Sequence, residues 1–330
     1  SIVDESGLAL KEAGREVARA VTQLRVCAEE AKRISGEAML TDVTGTNSAN
    51  IAFTLREPVG LVLAITPFNR PLNQVVVKLG PAIAAGCSIV LKPSEKTPLT
   101  ALRFVRVLLE CGLPPAMVSV VTGDPQEIGD ILVSSSDVDM ITFTGSSAVG
   151  VRIAQRAGMI RTAFELGDSG ALIVMEDADL CAAAKAAAAG AFGTSGQSCR
   201  GVKRLLVHEA VAAGFAELLA KEALALRVGD PRNPQTDMGT LISEAAALAV
   251  ECRVAEAIAA GAVLIAGHRR ECAQYWPTVL DHVEHRLPLV QEETFGPCAP
   301  IVRVRDFEHA LELANDTVFG LQTGLFTRDL

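Results

Sequence analysis

From residue 59 onward the chain alternates short apolar runs with amphipathic stretches of helical period, and this alternation constrains the fold more than any other feature. The runs at 59–66, 88–92, 118–122, 140–144, 161–166 and 171–175 read as strands. Between them, 98–111, 126–134 and 148–157 read as helices, the first stopped by Gly112. Strands that are apolar almost throughout, joined by helices, indicate a parallel sheet covered on both faces. The pattern recurs after about residue 201: strand 203–208, helix 209–226, loop 229–237, helix 243–260, strand 262–266. The Ala-rich segment 181–191 reads as a tightly packed helix. Residues 4–35 read as one long amphipathic helix, and the polar stretch 39–57 as an arm or hairpin leaving the body of its domain. No repeat of fixed period is present.

A chain of 330 residues, 49% apolar and 21% charged, can hold two such α/β domains, each with its own core. The division falls at 1–166 and 167–330. The net charge of −9 argues against nonspecific binding to nucleic acid or to an acidic membrane, which needs a basic face. It leaves room for a local basic pocket. The 8 cysteines form no CxxC pair, and a chain of this size needs no disulfide staples, so reduced thiols and a cytoplasmic setting are expected. No charged-then-apolar leader opens the chain, and the apolar runs are far too short to span a membrane. The first residue is Ser1 rather than Met, which points to a start further upstream.

Several residues could carry chemistry. Cys199 follows Gly196-Gln197-Ser198 and is crowded by Gly193 and Gly201, as an approachable thiol nucleophile would be. A buried inert thiol is the alternative, and the better reading for most other cysteines. Glu165 ends an apolar strand; it is either a strand-end acid facing water or, in a partly dry cleft, a general base. Asn69 ends the first apolar strand, where a turn-capping role would be ordinary. Lys92 and Glu95 follow a strand at the carboxyl edge, where open sheets bind ligands; a polar turn is the alternative. Gly145 to Gly150 joins strand to helix without forming GxGxxG, yet a strand, a glycine turn and a helix N-terminus still make a phosphate seat. Glu293 and Phe295 lie in a Gly/Pro-bounded loop that could equally be solvated charge over a core ring. Gly167-Asp168-Ser169-Gly170 matches a serine-protease signature, but that fold is all-β and needs an earlier His than His208. His282 and His285 could pair on a metal, although no third ligand is near, so no metal is expected.

Taken in chain order, Thr66-Pro67-Phe68-Asn69, Lys92-Pro93-Ser94-Glu95, Phe143-Thr144-Gly145-Ser146, Phe164-Glu165-Leu166-Gly167, Gly196-Gln197-Ser198-Cys199 and Glu292-Glu293-Thr294-Phe295-Gly296-Pro297 resemble the NAD(P)-dependent aldehyde dehydrogenase superfamily. The resemblance covers nearly the whole chain, although family members extend further at both ends. It implies two parallel-sheet α/β domains, NAD-binding then catalytic, with 39–57 as a small oligomerisation arm and a homodimer or homotetramer at full length. Cys199 would be the nucleophile, Glu165 the general base and Asn69 an oxyanion donor. Cofactor contacts would come from Thr66, Pro67, Phe68, Lys92, Ser94, Glu95, Gly145, Ser146, Leu166, Glu293 and Phe295. Lys92 and Glu95 would hold the adenine-side ribose, and Glu95 would repel a 2′-phosphate, favouring NAD over NADP. Where the family motif is Glu-Leu-Gly-Gly, this chain has Asp168 in the fourth place.

Within the superfamily the closest look is to phosphonoacetaldehyde dehydrogenases and related enzymes for small anionic aldehydes, carried by 66–73 and Val174-Met175-Glu176-Asp177-Ala178-Asp179. Those relatives commonly have His in place of Arg70 and Arg in place of Ser198. Arg19, Arg70 and Arg200 are then the candidates for an anionic substrate, since the guanidinium fork suits phosphonate or carboxylate. A surface role is equally open for each. The implied reaction is NAD-dependent oxidation of a small aldehyde to its acid, hydrolytic and not acylating, through a Cys thiohemiacetal and thioester. The rival is a non-catalytic relative that binds nucleotide or a partner.

Overall fold

The structure is a computed structural model that describes residues 1–41, 45 and 50–329. Its contacts fall into two compact units, Glu16–Glu165, and Ser1–Arg15 together with Leu166–Leu330. The break after residue 165 lies beside the expected one, but the first fifteen residues group with the second unit and not with the first.

In the unit Glu16–Glu165 a five-stranded sheet runs in the order Val118–Val120, Ser88–Lys92, Leu61–Ile65, Met140–Thr144, Arg161–Glu165, every neighbouring pair parallel. Successive residues of a strand point to opposite faces, and Leu63 and Ala64 are both 0% exposed, so both faces of the central strand are covered. Helices Asn73–Ala84, Pro98–Glu110, Pro125–Val133 and Ser147–Ala157 connect the strands. Val75, Leu79, Ala101 and Val105 pack with Val62, Ile89 and Leu91 in one core. The chain steps outward from the central strand to Val118–Val120, then returns to lay Met140–Thr144 on its other side. That reversal opens a crevice at the carboxyl ends of the central strands, the place where such sheets take ligands.

The second unit carries six strands in the order Val263–Ala266, Thr278–Asp281, Cys298–Val304, Arg204–His208, Ala171–Val174, Thr323–Phe326. All neighbours are parallel except the first pair, so one edge strand runs against the rest. The Ala-rich helix Leu180–Phe192 packs on Glu209–Ala225, with Ala183, Ala184, Ala187, Ala188 and Ala191 buried in the contact. Small side chains let two helix backbones approach closely, which accounts for the biased composition.

The single helix expected over 4–35 is two. Ile2–Ser6 ends at Gly7, which sits at φ 73, and Leu10–Ala31 follows. A Cβ on Gly7 would lie 2.1 Å from Thr240 Oγ1, and the Gly7 carbonyl accepts from the Thr240 amide at 3.0 Å. A contact from far along the chain therefore breaks the helix. Of the expected arm, Ala38–Met39 and Ala52–Phe53 form a short antiparallel ladder; 42–44 and 46–49 lie outside the described residues.

Candidate active site

A cavity of about 510 Å³ occupies the crevice of the first unit. Eight of the residues expected to contact a cofactor line it: Thr66, Pro67, Phe68, Lys92, Ser94, Glu95, Gly145 and Ser146. The other three, Leu166, Glu293 and Phe295, belong to the second unit. Lys92 is buried with its Nζ 3.4 Å from Glu95 Oε2, and the Thr66 amide donates to the Lys92 carbonyl at 3.2 Å, tying two strand ends together. Ser146 caps helix Ser147–Ala157, accepting from the Val149 amide at 3.4 Å. The Gly145 amide donates to the Glu165 carbonyl at 3.1 Å, and a Cβ there would meet Phe143 Cζ at 2.5 Å. Phe143 cannot easily yield, because it is buried and stacked edge-on against Phe164. A bare backbone turn thus meets the helix N-terminus, whose amides and dipole favour an anion.

Lys96, Gln126, Asp130 and Arg152 also line this cavity and were not foreseen. The Arg152 guanidinium is held by Asp130 at 2.7 Å, with Arg156 at 3.1 Å from the same carboxylate. The Lys96 ammonium lies 5.2 Å from the centroid of the Phe68 ring.

Glu165 is half-buried at its strand end, with Oε2 buried and accepting no hydrogen bond among the described residues. A cation not anticipated from sequence acts on it. Lys78, on helix Asn73–Ala84, is 8% exposed and donates to Thr142 Oγ1 at 3.1 Å. Burial pulls the Lys78 ammonium down to about 8, while the Glu165 carboxylate pushes it back up. Asn69 is buried, and the backbone just beyond it is anchored by another unforeseen ion. Glu16 is 0% exposed, and its Oε1 accepts from the Leu72 and Asn73 amides at 2.8 Å each. Those amides open helix Asn73–Ala84 and have no partner within it, so a carboxylate from another helix serves as the cap.

In the second unit Cys199 is half-buried in a turn, Ser198 to Gly201, closed by the Gly201 amide on the Ser198 carbonyl at 3.1 Å. Ahead of it Thr194 and Ser195 hold φ values of 59 and 54, and Gly196 follows at 70. A Cβ on Gly196 would lie 2.1 Å from the Gly296 carbonyl, so this turn sits directly on the backbone of the 292–297 loop. Arg253 secures that loop, donating to the Glu293 carbonyl at 2.9 Å and to Thr294 Oγ1 at 3.0 Å. Asp168 is buried. Its amide donates to Glu293 Oε1 at 3.3 Å, and its Oδ1 accepts from the Leu321 amide at 3.3 Å. Its charge acts on two cations, Lys203 and Arg204. The carboxylate that replaces glycine in the motif thus meets two cations within its own unit, while its Oδ2 is buried and accepts no hydrogen bond among the described residues.

Among the substrate candidates, Arg19 is exposed on helix Leu10–Ala31, Arg70 is half-buried beside Asn69, and Arg200 is exposed beside Cys199. The protease-like signature carries no chemistry: the Ser169 hydroxyl is buried and donates to the Val290 carbonyl at 2.9 Å. His285 is engaged by Asp316 at 3.1 Å and Gln291 at 2.9 Å, and no group of metal-ligating side chains occurs among the described residues. No helix of the described residues is long and apolar enough to cross a membrane.

Comparison with known proteins matches residues 1–330 to the aldehyde dehydrogenase family. The chain is 45% identical over 330 residues to aspartate-semialdehyde dehydrogenase 1 of Pseudomonas canavaninivorans, spanning 100% of this chain and 70% of that protein. It is 43% identical over 329 residues to the 3-sulfolactaldehyde dehydrogenase of Priestia aryabhattai, spanning 100% and 69%. Among solved structures, the NADP-dependent glyceraldehyde-3-phosphate dehydrogenase from Bacillus halodurans C-125, complexed with NADP, matches with a TM-score of 0.97 at 38% identity, covering 99% of this chain and 69% of that one.

Proposed function

The chain belongs to the aldehyde dehydrogenase family, and we propose that it oxidises a small aldehyde bearing an anionic group to the corresponding acid, with NAD as acceptor and Cys199 as nucleophile. The observation that carries this reading is the cavity at the switch point of the first sheet, where a cradle without a side chain at Gly145 meets the start of helix Ser147–Ala157. That arrangement fits a dinucleotide pyrophosphate. Glu95 favours NAD, because a carboxylate accepts from a ribose hydroxyl and repels a 2′-phosphate. Of the cations lining the cavity, Arg152 is taken up by Asp130 and Lys92 lies against Glu95 itself, which leaves Lys96 as the one that could offset it. The substrate class draws support from the relatives' names: aspartate semialdehyde, 3-sulfolactaldehyde and glyceraldehyde 3-phosphate carry a carboxylate, a sulfonate and a phosphate. Arg70, Arg200 and Arg19 are the residues proposed to meet that anion; phosphonoacetaldehyde belongs to the same class.

In the proposed reaction the Cys199 thiolate forms a C–S bond to the aldehyde carbon. The Asn69 amide and the Cys199 backbone N–H hold the resulting oxyanion. A nicotinamide bound beside this carbon would supply the acceptor for its hydride. The oxyanion then collapses to a thioester on Cys199. Glu165 takes a proton from the water that attacks the thioester, the C–S bond breaks, and the acid departs. A rival reading, a non-catalytic relative that binds nucleotide or a partner, would draw on the charge that Asp168 adds to the motif; that charge acts on Lys203 and Arg204, which weakens this ground.

The test is reduced-nicotinamide formation with NAD and with NADP, over phosphonoacetaldehyde, aspartate semialdehyde, 3-sulfolactaldehyde and an uncharged aldehyde. Turnover should favour anionic aldehydes and NAD, Cys199→Ala should abolish it, and Glu165→Gln should leave a single-turnover burst. Full turnover by Cys199→Ala would remove the nucleophile assignment. A preference for the uncharged aldehyde would remove the substrate class.

A further inference from the structure

Lys203 lies just ahead of strand Arg204–His208, where a sequence reader expects a solvated residue, yet it is 3% exposed. Its Nζ donates to the Gly196 carbonyl, three residues before Cys199, and stands 5.2 Å from the centroid of the Phe295 ring. Cations seldom enter a protein interior, because the charged form loses its hydration. Burial accordingly draws the ammonium down to about 8; Glu293, Cys298, Cys199 and Asp168, in that order, favour its charge. These four groups come from the 292–297 loop, strand Cys298–Val304, the nucleophile turn and the segment after Glu165. At neutral pH the group is mostly an ammonium ion.

The carbonyl that Lys203 holds belongs to a strained run. A positive φ is uncommon for residues with a Cβ and least tolerated by a β-branched one, and here Thr194 and Ser195 adopt it in succession before Gly196. Such conformations persist only where the surroundings impose them. The Lys203 ammonium imposes this one from one side and the Gly296–Pro297 backbone from the other.

We infer that Lys203 is a positioning residue for the nucleophile: its ammonium fixes the left-handed turn that presents Cys199 and lends the sulfur a buried positive charge that favours thiolate. The inference rests on the reading of Cys199 as nucleophile. Electrostatic coupling is mutual, so a sulfur whose ionisation favours the ammonium is itself favoured by it to the same degree. Cys298 feels the same charge, but complete burial pushes its thiol up to about 12 and keeps it inert. Cys199, by contrast, is half-buried. Asp168 and Glu293 act against the thiolate directly, while holding Lys203 in its charged form.

The test is the pH dependence of Cys199 alkylation by iodoacetamide, followed on its peptide by mass in the full chain without substrate. Wild type should show a midpoint below the ordinary thiol value of about 8.5. Lys203→Met should raise the midpoint by roughly one pH unit or more, and Lys203→Arg, which keeps the charge, should lie closer to wild type. A Lys203→Met midpoint equal to that of wild type overturns the inference. So does a wild-type midpoint at or above the ordinary value, a measurement that needs no variant to fold. A merely structural lysine would change the melting temperature and leave the midpoint in place. Failure of the underlying reading looks different: Cys199→Ala would still oxidise aldehyde, whatever the thiol midpoint.

Discussion

Replacing Lys78 by Met should stabilise the protein at neutral pH. Lys78 titrates at about 8 in the native state against an ordinary 10.5. At 1.36 kcal/mol per pH unit, keeping it charged in the fold costs about 3 kcal/mol. Met is similarly unbranched and carries no charge. The variant forfeits the hydrogen bond to Thr142 Oγ1, worth about 1 kcal/mol, so it should be more stable than wild type by about 2 kcal/mol at pH 7. Between pH 8 and 10.5 the unfolded chain holds a proton on Lys78 that the native state has released, so wild type gains stability as pH rises through that window. The advantage of the variant should therefore shrink and change sign, to about −1 kcal/mol above pH 10.5. The wild-type profile alone reads this poorly. Lys203 acts in the same direction, whereas Cys298 and Tyr275, both raised by burial, remove stability as pH rises above their ordinary values of 9.0 and 10.0. Subtracting the variant cancels those contributions. The assay is urea unfolding of both proteins at pH 7 and at pH 10.5. A variant less stable than wild type at pH 7, or a stability difference independent of pH, would refute the account.

Two further substitutions test the supports of the site. Gly196→Ala should destabilise by at least about 2 kcal/mol, combining the left-handed penalty with a Cβ driven into the Gly296 backbone; thermal unfolding reads the loss, and slow alkylation of Cys199 reads the displaced turn. Glu16→Ala should cost about 2–4 kcal/mol by stranding the Leu72 and Asn73 amides. Hydrogen exchange at those two amides should accelerate well beyond that of the neighbouring helix; unchanged protection there would show that another group caps the helix.

The strands were legible because a parallel strand covered on both faces is apolar almost throughout, and that run survives in the sequence whatever packs on it. Helix Pro98–Glu110, with proline at its start and Gly112 beyond its end at φ 96, shows the same directness. What escaped depends on contacts distant in sequence. The break at Gly7 is decided by Thr240, and the reversed edge strand Val263–Ala266 by its pairing with Thr278–Asp281; periodicity records neither. At the site, the turns carrying Gly145 and Cys199 were visible because small residues mark them. Glu16, Lys78 and Lys203 were not, since a charged residue on an amphipathic helix or beside a strand ordinarily faces water. A faint signal existed: Lys78 stands in Val75-Val76-Val77-Lys78-Leu79, and Lys203 opens the run toward Leu205-Leu206-Val207.

These three charges share a placement. Each is almost fully buried, and each supports a different candidate catalytic residue from within the same unit; for Lys78 and Lys203 burial disfavours the charged form. Glu16 fixes the backbone just beyond Asn69, Lys78 acts on Glu165, and Lys203 holds the turn before Cys199. At Lys78 and Lys203 a core shaped only for stability would hold Leu or Met, because replacing a buried ion by a well-packed hydrophobe is often neutral or favourable; Glu16 differs, since it also caps two amides of its neighbouring helix. An active site has another requirement: its oxyanion donor, base and nucleophile must be held in place and in the right ionisation state before substrate arrives. Burial and hydrogen bonds already bias the protonation of such groups, and a nearby fixed charge adds a bias of its own where water is scarce. The three residues the sequence hid most completely are thus the ones whose placement makes mechanistic sense of the three it displayed most openly.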